Sequence, residues 1–251
     1  MDFLSKEDII KVVEGKGHAE RVPLMYDIWI YDNMFGDDPQ KRQAWLQQYP
    51  CDVDHIFMQF PGITEGPKED PDFFWGIPGA APVEGAGLDS QCLIRDWEDE
   101  EAVEAFYASF PDPDSPALIV GNKQRDGRYL LGRWWDCFFE RLWRLRGMEN
   151  ALTDFYLYPE QVHRLFDRLS KFYMRVMERA KEAWDVDGFL YQMISGHRRR
   201  RSFHWIFSGN FLRIIIKGCL IRRMNLARIS GCTAVGILRC FCRISLKSDW
   251  M

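Results

Sequence analysis

Acidic residues are almost absent from the last quarter of the chain. Residues 192–251 contain 12 of the 33 Lys and Arg residues but, of the 37 Asp and Glu residues, only Asp249, and they contain no Pro, Glu or Tyr. Four of the seven cysteines also lie in this tail. Residues 1–191 carry a net charge of −15, against +11 for the tail. A change this sharp indicates either a separate basic module or a stretch translated out of frame.

The beginning of the chain lacks a long apolar run. Residues 1–15 mix charged and apolar positions instead, which argues against a signal peptide or a membrane span. The three cysteines before the tail, Cys51, Cys92 and Cys137, are widely spaced and odd in number, which suits free thiols in a reducing compartment. We therefore expect a cytoplasmic protein that does not bind membranes.

Helical and strand patterns alternate through residues 1–191. Apolar residues at helical spacing predict helices at 5–13, 40–49, 99–109, 134–145, 149–156 and 159–183. Short apolar runs predict strands at 21–28, 54–60, 91–96, 117–120 and 189–191. The Gly- and Pro-rich stretch 61–87 is predicted to be a functional or covering loop. This alternation predicts βαβ units around a parallel sheet, with too few strands to close an eight-stranded barrel.

Three motifs near the end of the acidic part carry a resemblance to a known family. Gly147–Tyr156 has the sequence GMENALTDFY, Pro159-Glu160 opens an amphipathic helix, and Asp187–Tyr191 has the sequence DGFLY. Together they resemble the uroporphyrinogen decarboxylase superfamily, over most of residues 1–191. The resemblance implies a (β/α)8 barrel with its pocket at the carboxyl ends of the strands. The expected fold is therefore an incomplete TIM-type barrel, with roughly the first five strands in residues 1–191, followed by an out-of-frame basic tail without a defined fold.

The tail resembles the family only when it is translated one base out of register. In the family, the strand corresponding to Gly188–Tyr191 is followed by an acidic, Gly-containing loop. Met and Trp each have a single codon, so four tail residues fix a G at the start of a shifted codon: Met193, Trp205, Met224 and Trp250. The following codons then force Asp, Asp, Glu and Asp, and each falls where the family pattern has an acid. Cys232 followed by Thr233 likewise permits only Tyr or His at the candidate metal-ligand position.

The superfamily includes two activities with different chemical needs. Uroporphyrinogen decarboxylases use no metal or organic cofactor; Arg residues bind the substrate's carboxylates, and an Asp stabilises the protonated pyrrole. The methyltransferase branch uses a His/Cys zinc site to hold a thiol as thiolate, which accepts a methyl group from a corrinoid. The partner of an intact member is thus a small-molecule tetrapyrrole or a corrinoid protein. We expect a truncated, inactive relative of the decarboxylases, with a fragment of a corrinoid-dependent methyltransferase as the alternative.

Candidate pocket residues are those near the predicted strand ends: Asp27, Asn122, Trp135 and Tyr191. Each has a simpler interpretation, because a loop Asp is often a cap, Asn122 suits a turn, Trp135 suits a core, and Tyr191 suits the barrel wall. No catalytic residue is assigned. Cys240 and Cys242 lack a coherent ligand pattern, so no metal site is expected in this chain, and zinc would belong to a frame-restored protein.

A nucleic-acid-binding tail is the alternative from another class of function. Its basic patch would be Arg198–Arg201. The apolar run Ile214–Ile216 makes a poor solvated arm, and the tail lacks the interleaved aromatic and basic residues that favour base stacking. Nucleic acid is therefore the less favoured partner.

Overall fold

The computed structural model describes residues 3–25, 32–49, 51–58, 60, 66–68, 70–75, 92–118, 125–134, 137–194, 196–197, 200–201 and 237–243, with only the backbone at 32, 191–194 and the three ranges after 194. The chain divides into two compact units. The first comprises Met1–Ile56 and Lys123–Leu131, and the second comprises Phe57–Asn122 and Gly132–Met251.

In the described residues, one to three helices precede each of the first three strands. In chain order they are α1 (Lys6–Glu14), α2 (Pro39–Gln48), β1 (Val53–Phe57), α3 (Glu100–Ala108), β2 (Tyr129–Trp134), α4 (Phe139–Arg146), α5 (Met148–Leu157), α6 (Pro159–Trp184), β3 (Gly188–Ile194), β4 (Gly196–His197), β5 (Arg200–Arg201) and β6 (Ile237–Arg243). Two short 3₁₀ helices lie at Asp32–Phe35 and Pro116–Leu118.

Polar caps fix the starts of the first three helices. The Ser5 side chain accepts a hydrogen bond from the Asp8 amide at α1, and Asp38 accepts from two amides at the start of α2. Asp99 accepts from the Ala102 amide at α3. Such caps satisfy amide groups that have no partner within the helix, so they set where each helix begins. The sequence predictions of these three helices, and of α5 and α6, are confirmed to within one or two residues.

The main sheet has the strand order β1-β2-β3-β6. Strands β1, β2 and β3 form a three-strand parallel sheet, and β6 pairs with β3 in the antiparallel direction, with Tyr191 opposite Cys240. A separate two-stranded antiparallel sheet joins β4 and β5. The described part is therefore a mixed α/β fold in which helices accompany a short parallel sheet.

Helix α6 supplies much of the core of the second unit. Its 26 residues bury one apolar stripe, as the 3-4 spacing predicts. The buried members of the predicted stripe are Val162, Leu165, Phe166, Leu169, Phe172, Tyr173, Val176 and Met177. The prediction of this amphipathic helix is confirmed in its length and in its buried face.

Three of the predicted strands are wrong where the structure describes them. Residues 92–96 form no strand, because the Leu93 and Ile94 amides both bond the Leu145 carbonyl, at 2.7 and 3.0 Å, and this holds the segment as a loop. The predicted strand at 117–120 begins as the 3₁₀ helix Pro116–Leu118, and its last two residues lie outside the described residues. Residues 21–25 also form no strand, and 26–28 lie outside the described part.

Strand β2 was missed by sequence reasoning. All six of its residues are buried, so the alternation that marks a half-buried strand is absent. Arg133 and Gly132 also interrupt its apolar run, and the following Trp134 was assigned to a helix that starts later, at Phe139. A wholly buried strand therefore has no periodic signal that separates it from a buried helix.

Gly132 is required by a close approach between β2 and β3. A Cβ at this position would lie 2.7 Å from two atoms of the Phe189 ring, which is itself buried. We expect Gly132→Ala to lower the free energy of unfolding by about 1–3 kcal/mol, because the ring has no space to withdraw. Urea unfolding measures the loss.

Gly17→Ala is the matched control for this substitution. The nearest atoms to a Cβ at Gly17 lie 3.8 Å away, in ordinary contact with the Lys11 side chain. Equal effects of the two substitutions would contradict the close approach at Gly132.

Candidate functional site

The structure places few of the predicted pocket residues. Asp27, Asn122 and Trp135 lie outside the described residues. Tyr191 lies in β3, with its backbone in register with Cys240 of β6. These four assignments remain predictions. The described side chains near the strand ends are those of other residues.

The carboxyl ends of β1 and β2 lie together in the second unit. The Met58 amide, just after β1, donates to the Arg133 carbonyl at 2.8 Å. Ligands of open parallel α/β sheets bind beyond the carboxyl ends of the strands, as they do in barrels. Side chains at this edge are therefore the first candidates for binding.

Arg133 is a buried cation at this edge. Its side chain is 1% exposed, and its guanidinium carbon lies 5.5 Å from the centre of the Phe57 ring. The next residue, Trp134, points to the other face by strand alternation and stacks on Tyr173 of α6 at 5.6 Å. Sequence reasoning passed over Arg133, although a charged residue inside an otherwise apolar strand was a usable signal.

Aromatic rings form a wall on the α6 side of this edge. Phe60 lies 5.8 Å from Trp134 and 5.4 Å from Tyr173. The Tyr173 hydroxyl donates to the Cys137 carbonyl at 2.8 Å, which fixes the ring and satisfies its polar group. The wall is a packed part of the core, so its first role is to hold the strand ends in place.

Arg141 is a second buried cation near the strand ends. It lies in the first turn of α4, is 4% exposed, and places its guanidinium carbon 5.9 Å from the Phe60 ring centre and 5.3 Å from that of Trp75. Trp75 in turn contacts Phe106 and Phe110 edge-on. Cation–π contacts of this kind hold a guanidinium in a fixed place.

Trp75 belongs to the stretch predicted to be a functional or covering loop. Phe73 and Trp75 are 2% and 1% exposed, so this described part of the loop is packed into the core. Ser115 also donates to Asp70 at 2.5 Å. The loop therefore contributes to the same aromatic region that holds Arg141.

A third buried cation, Arg146, belongs to a structural ion pair. Its Nε and Nη2 atoms lie 2.7 and 3.0 Å from the two carboxylate oxygens of Asp154. Its Nη1 donates to the Ile94 carbonyl at 2.6 Å, and the Trp97 indole donates to Asp154 at 2.8 Å. Both charged groups are satisfied within the pair and its neighbours, so this cluster holds the loop against α4 and α5.

The first unit has its own buried carboxylate, Asp52. Its oxygens accept from the Leu4 amide at 2.9 Å, the Leu24 amide at 2.6 Å, and both terminal nitrogens of Arg21 at 2.6 and 2.7 Å. Burial raises the pKa of Asp52, but the hydrogen bonds from Arg21, Leu24 and Leu4 together outweigh burial and leave the pKa below its ordinary value of 3.8. All its acceptor positions hold chain segments together, which is a structural role.

Neither a metal-binding group nor a membrane-spanning helix occurs among the described residues. Among them, no three His, Cys, Asp or Glu side chains come together as metal ligands would. No helix in the described part is long and apolar enough to cross a membrane.

No protein-family model, curated protein or solved structure matches this chain. Evidence for function therefore comes from the strand order, from the buried cations and aromatic rings of the second unit, and from the composition of the tail.

Proposed function

We propose that this chain carries the first strands of a uroporphyrinogen decarboxylase-like barrel and that, with its present tail, it is an inactive copy. The ancestral substrate class is a carboxylated tetrapyrrole. The observation that carries the proposal is the arrangement of β1, β2 and β3, which are parallel and adjacent in chain order.

Strand order separates the two common kinds of parallel α/β sheet. In a (β/α)8 barrel each strand pairs with the next one along the chain, whereas a doubly wound sheet reverses its order at a switch point. The three parallel strands pair in chain order without a switch point, with α4, α5 and α6 between β2 and β3. This order fits a barrel segment, and one half of a doubly wound sheet has the same order.

The direction of β6 supports the out-of-frame tail. In a barrel, the neighbour on the free side of β3 is a further parallel strand. Here that position is taken by a tail segment running antiparallel, Ile237–Arg243, which contains two of the tail's arginines and two of its cysteines. A tail translated in the wrong frame has no reason to provide the expected parallel strand.

Buried cations and aromatic rings near the strand ends support the substrate class. Arg133 and Arg141 are suited to bind carboxylates in a low-dielectric site, where charge-assisted hydrogen bonds are strong. Among the neighbouring rings, Phe57 is 44% exposed and is suited to contact a flat macrocycle, whereas Phe60 and Trp75 are packed and hold Arg141 in place. In this proposal the cations position the substrate, and the remaining groups belong to the frame-restored segment.

The test compares the chain as it stands with a protein whose frame is restored after Tyr191. We expect decarboxylation of uroporphyrinogen by the restored protein and none by the present chain. In the restored protein, Arg133→Gln should raise KM about tenfold or more, since one charge-assisted contact contributes about 1.5–3 kcal/mol.

Arg164→Gln is the control for that variant, because Arg164 lies on the exposed face of α6 and pairs with Glu104. Decarboxylation by the present chain, or a restored protein without decarboxylase activity, would contradict the proposal.

A methyltransferase of the same superfamily is the second candidate. The observation that favours it is the absence of Arg from Tyr26–Asn33, where the decarboxylases have an Arg-rich loop. It predicts stoichiometric zinc and methyl transfer to a thiol in the frame-restored protein, where zinc would hold the thiolate. Zinc content without decarboxylation would replace the first proposal with this one.

The nucleic-acid alternative rests on the basic tail alone, and includes Arg200–Arg201 in β5. It predicts binding that weakens steeply with salt and disappears when residues 192–251 are deleted. Filter binding without salt dependence would remove it.

A further inference from the structure

The outward face of α5 carries large hydrophobic side chains where a solvated helix has polar ones. Positions 149, 152, 153 and 156 follow one another at helical spacing and are all exposed, while the buried residues of α5 lie on its opposite side. Leu152, Tyr156 and Leu157 are 36%, 63% and 69% exposed, and we call these three side chains the α5 patch. Neighbouring apolar side chains on a surface, rimmed by polar groups, are typical of an interaction site.

Two carboxylates lie at the ends of the α5 patch. Glu149 precedes Leu152 by one helical turn, and Glu160 follows Leu157 by three residues, in the first turn of α6. Both carboxylates are exposed, and neither is in an ion pair within the described residues. Each is therefore available to a partner that binds the patch.

The loop that precedes α3 brings two further acids to the end of α5. The Trp97 indole in this loop donates to Asp154 of α5 at 2.8 Å. Burial raises the pKa of the Tyr158 hydroxyl, just after α5, and the nearby charges of Glu98 and Asp96 raise it further. In the part of the chain that the structure describes, neither carboxylate pairs with a cation. The four carboxylates, which we call the acidic rim, are Asp96, Glu98, Glu149 and Glu160.

The acidic rim selects between candidate occupants of the α5 patch. The loop segment 95–101 alone contains five acids and one cation, Arg95. A second copy of this chain would bring two acidic rims face to face, and an anionic membrane surface would meet the same repulsion. A cationic partner instead places opposite charges around an apolar centre. Because the patch follows one short helix, its complement is narrow, as is the apolar stripe of an amphipathic helix.

We propose that the α5 patch and its acidic rim bind a cationic amphipathic helix of a partner protein. The apolar stripe of that helix packs on Leu152 and Leu157, and its Lys or Arg side chains lie against the carboxylates of the rim. All these residues belong to the second unit. The surface is independent of the proposed decarboxylase ancestry and of the tail.

The test measures the binding of fluorescein-labelled peptides to the full chain by fluorescence anisotropy. The probe is a peptide of about 14 Leu and Lys residues with Leu at helical spacing, which forms a cationic amphipathic helix. A second peptide has the same composition in an order without an apolar face, and a third has Glu in place of Lys. We expect saturable binding of the first peptide and about tenfold weaker binding, or less, of the other two.

Leu152→Ser combined with Leu157→Ser tests the apolar centre. Both side chains are exposed on a helix, so the substitutions leave the core intact. The dissociation constant of the amphipathic Leu/Lys peptide should rise about tenfold or more, because two leucines lose their apolar contact. Met34→Ser is the control, since Met34 is 62% exposed in the first unit, and it should leave binding unchanged.

Asp96→Asn combined with Glu98→Gln tests the acidic rim. Binding should weaken about threefold at low salt and less at high salt, because exposed ion pairs contribute little each and are screened. Glu7→Gln combined with Glu20→Gln removes the same charge from exposed positions of the first unit. This control should change binding less than the rim variant does.

Several outcomes would overturn the proposal. Absence of binding, or equal affinity for the two Leu/Lys peptides, would leave at most an attraction by net charge, as would equal weakening by the two pairs of charge substitutions. Equal affinity for the Glu peptide would exclude an acidic site. Unchanged binding in the double leucine variant, with a wild-type circular dichroism spectrum, would place the peptide elsewhere. Self-association of the chain that is lost in that variant would identify a second copy as the occupant.

Discussion

Replacing Asp154 by Ala is expected to lower the free energy of unfolding by about 3–5 kcal/mol. The carboxylate is 1% exposed and pairs with Arg146, which is 4% exposed. Removing the carboxylate leaves the guanidinium buried without its counter-ion, and also leaves the Trp97 indole without its acceptor. The cost of leaving the guanidinium unpaired is therefore larger than the cost of the small cavity that the substitution creates.

Asp167→Ala is the matched control for Asp154→Ala. Asp167 pairs with Lys171 on the surface of α6, with both side chains more than half exposed, and such pairs contribute about 0–1 kcal/mol. Urea unfolding of both variants measures the contrast. Equal losses would contradict a dominant role for the buried pair.

A double substitution separates the charge from the packing at this site. Arg146→Met together with Asp154→Leu removes both charges, so it should recover part of the loss seen in Asp154→Ala. Full recovery is not expected, because the Ile94 carbonyl and the Trp97 indole lose their partners. A double variant less stable than Asp154→Ala would show that packing, rather than an unpaired charge, dominates the loss.

Asp52→Asn should lower the free energy of unfolding by about 2–4 kcal/mol at neutral pH, because Arg21 is partly buried and loses its counter-ion. The Asp52 side chain is fully buried and accepts four hydrogen bonds, two from Arg21 and two from backbone amides. The Asn amide nitrogen cannot accept any of them. The substitution thus releases the contacts at one of the two carboxylate oxygens, which are one Arg21 nitrogen together with either the Leu4 or the Leu24 amide, while the Asn oxygen can still accept the other two.

The effect of Asp52→Asn should depend on pH in one direction. The pKa of Asp52 in the folded state lies below its ordinary value of 3.8, so its stabilising contribution is present above that value and is lost as pH falls through the folded-state pKa. The difference between wild type and Asp52→Asn should therefore be largest at about pH 5–7 and shrink in more acidic solution.

Urea unfolding of both proteins at neutral and at acidic pH tests the direction of this pH dependence. Asp8, Asp114 and Asp126 also have lowered pKa values, but they are present in both proteins and cancel in the difference. A difference that stays constant with pH, or grows in acid, would contradict the assignment.

The helices were predictable because their signals are local. Ser5, Asp38 and Asp99 cap the helices that follow them, and the apolar stripe of α6 repeats at helical spacing. Strand β3 was likewise predicted from the turn at Asp185–Gly188 and the apolar run that follows it, Phe189–Tyr191. Each of these signals lies within a few residues of the element that it predicts.

The failures occur where tertiary contacts decide the conformation. The loop at residues 92–96 has the composition of a strand, but its amides bond the end of α4. Strand β2 is buried on both faces, so its residues show no alternation, and Gly132 suits a close approach that only the packed sheet reveals. Neither contact, of the 92–96 loop with α4 or of Gly132 with Phe189, can be predicted from the local sequence.

The contacts between side chains near the strand ends could not be predicted from the sequence either. Trp75 and Arg141 are separated by 66 positions, and only the fold brings them together. Arg133 could have been noticed as a cation in an apolar strand, whereas the proximity of Phe57 could not. Asp27, Asn122, Trp135 and Tyr191 remain predictions from the family pattern.

We propose that residues 192–251 are translated out of frame from a uroporphyrinogen decarboxylase-like gene. The most direct measurement is the nucleotide sequence of that gene from the codon of Tyr191 onward. If the tail is out of frame, a shift of one base yields a continuation with the family's H-x-C-G strand end and with acids at the codons that begin in Met193, Trp205, Met224 and Trp250. A verified gene whose shifted frame lacks this continuation would contradict the frameshift. The basic tail would then be a genuine part of the protein.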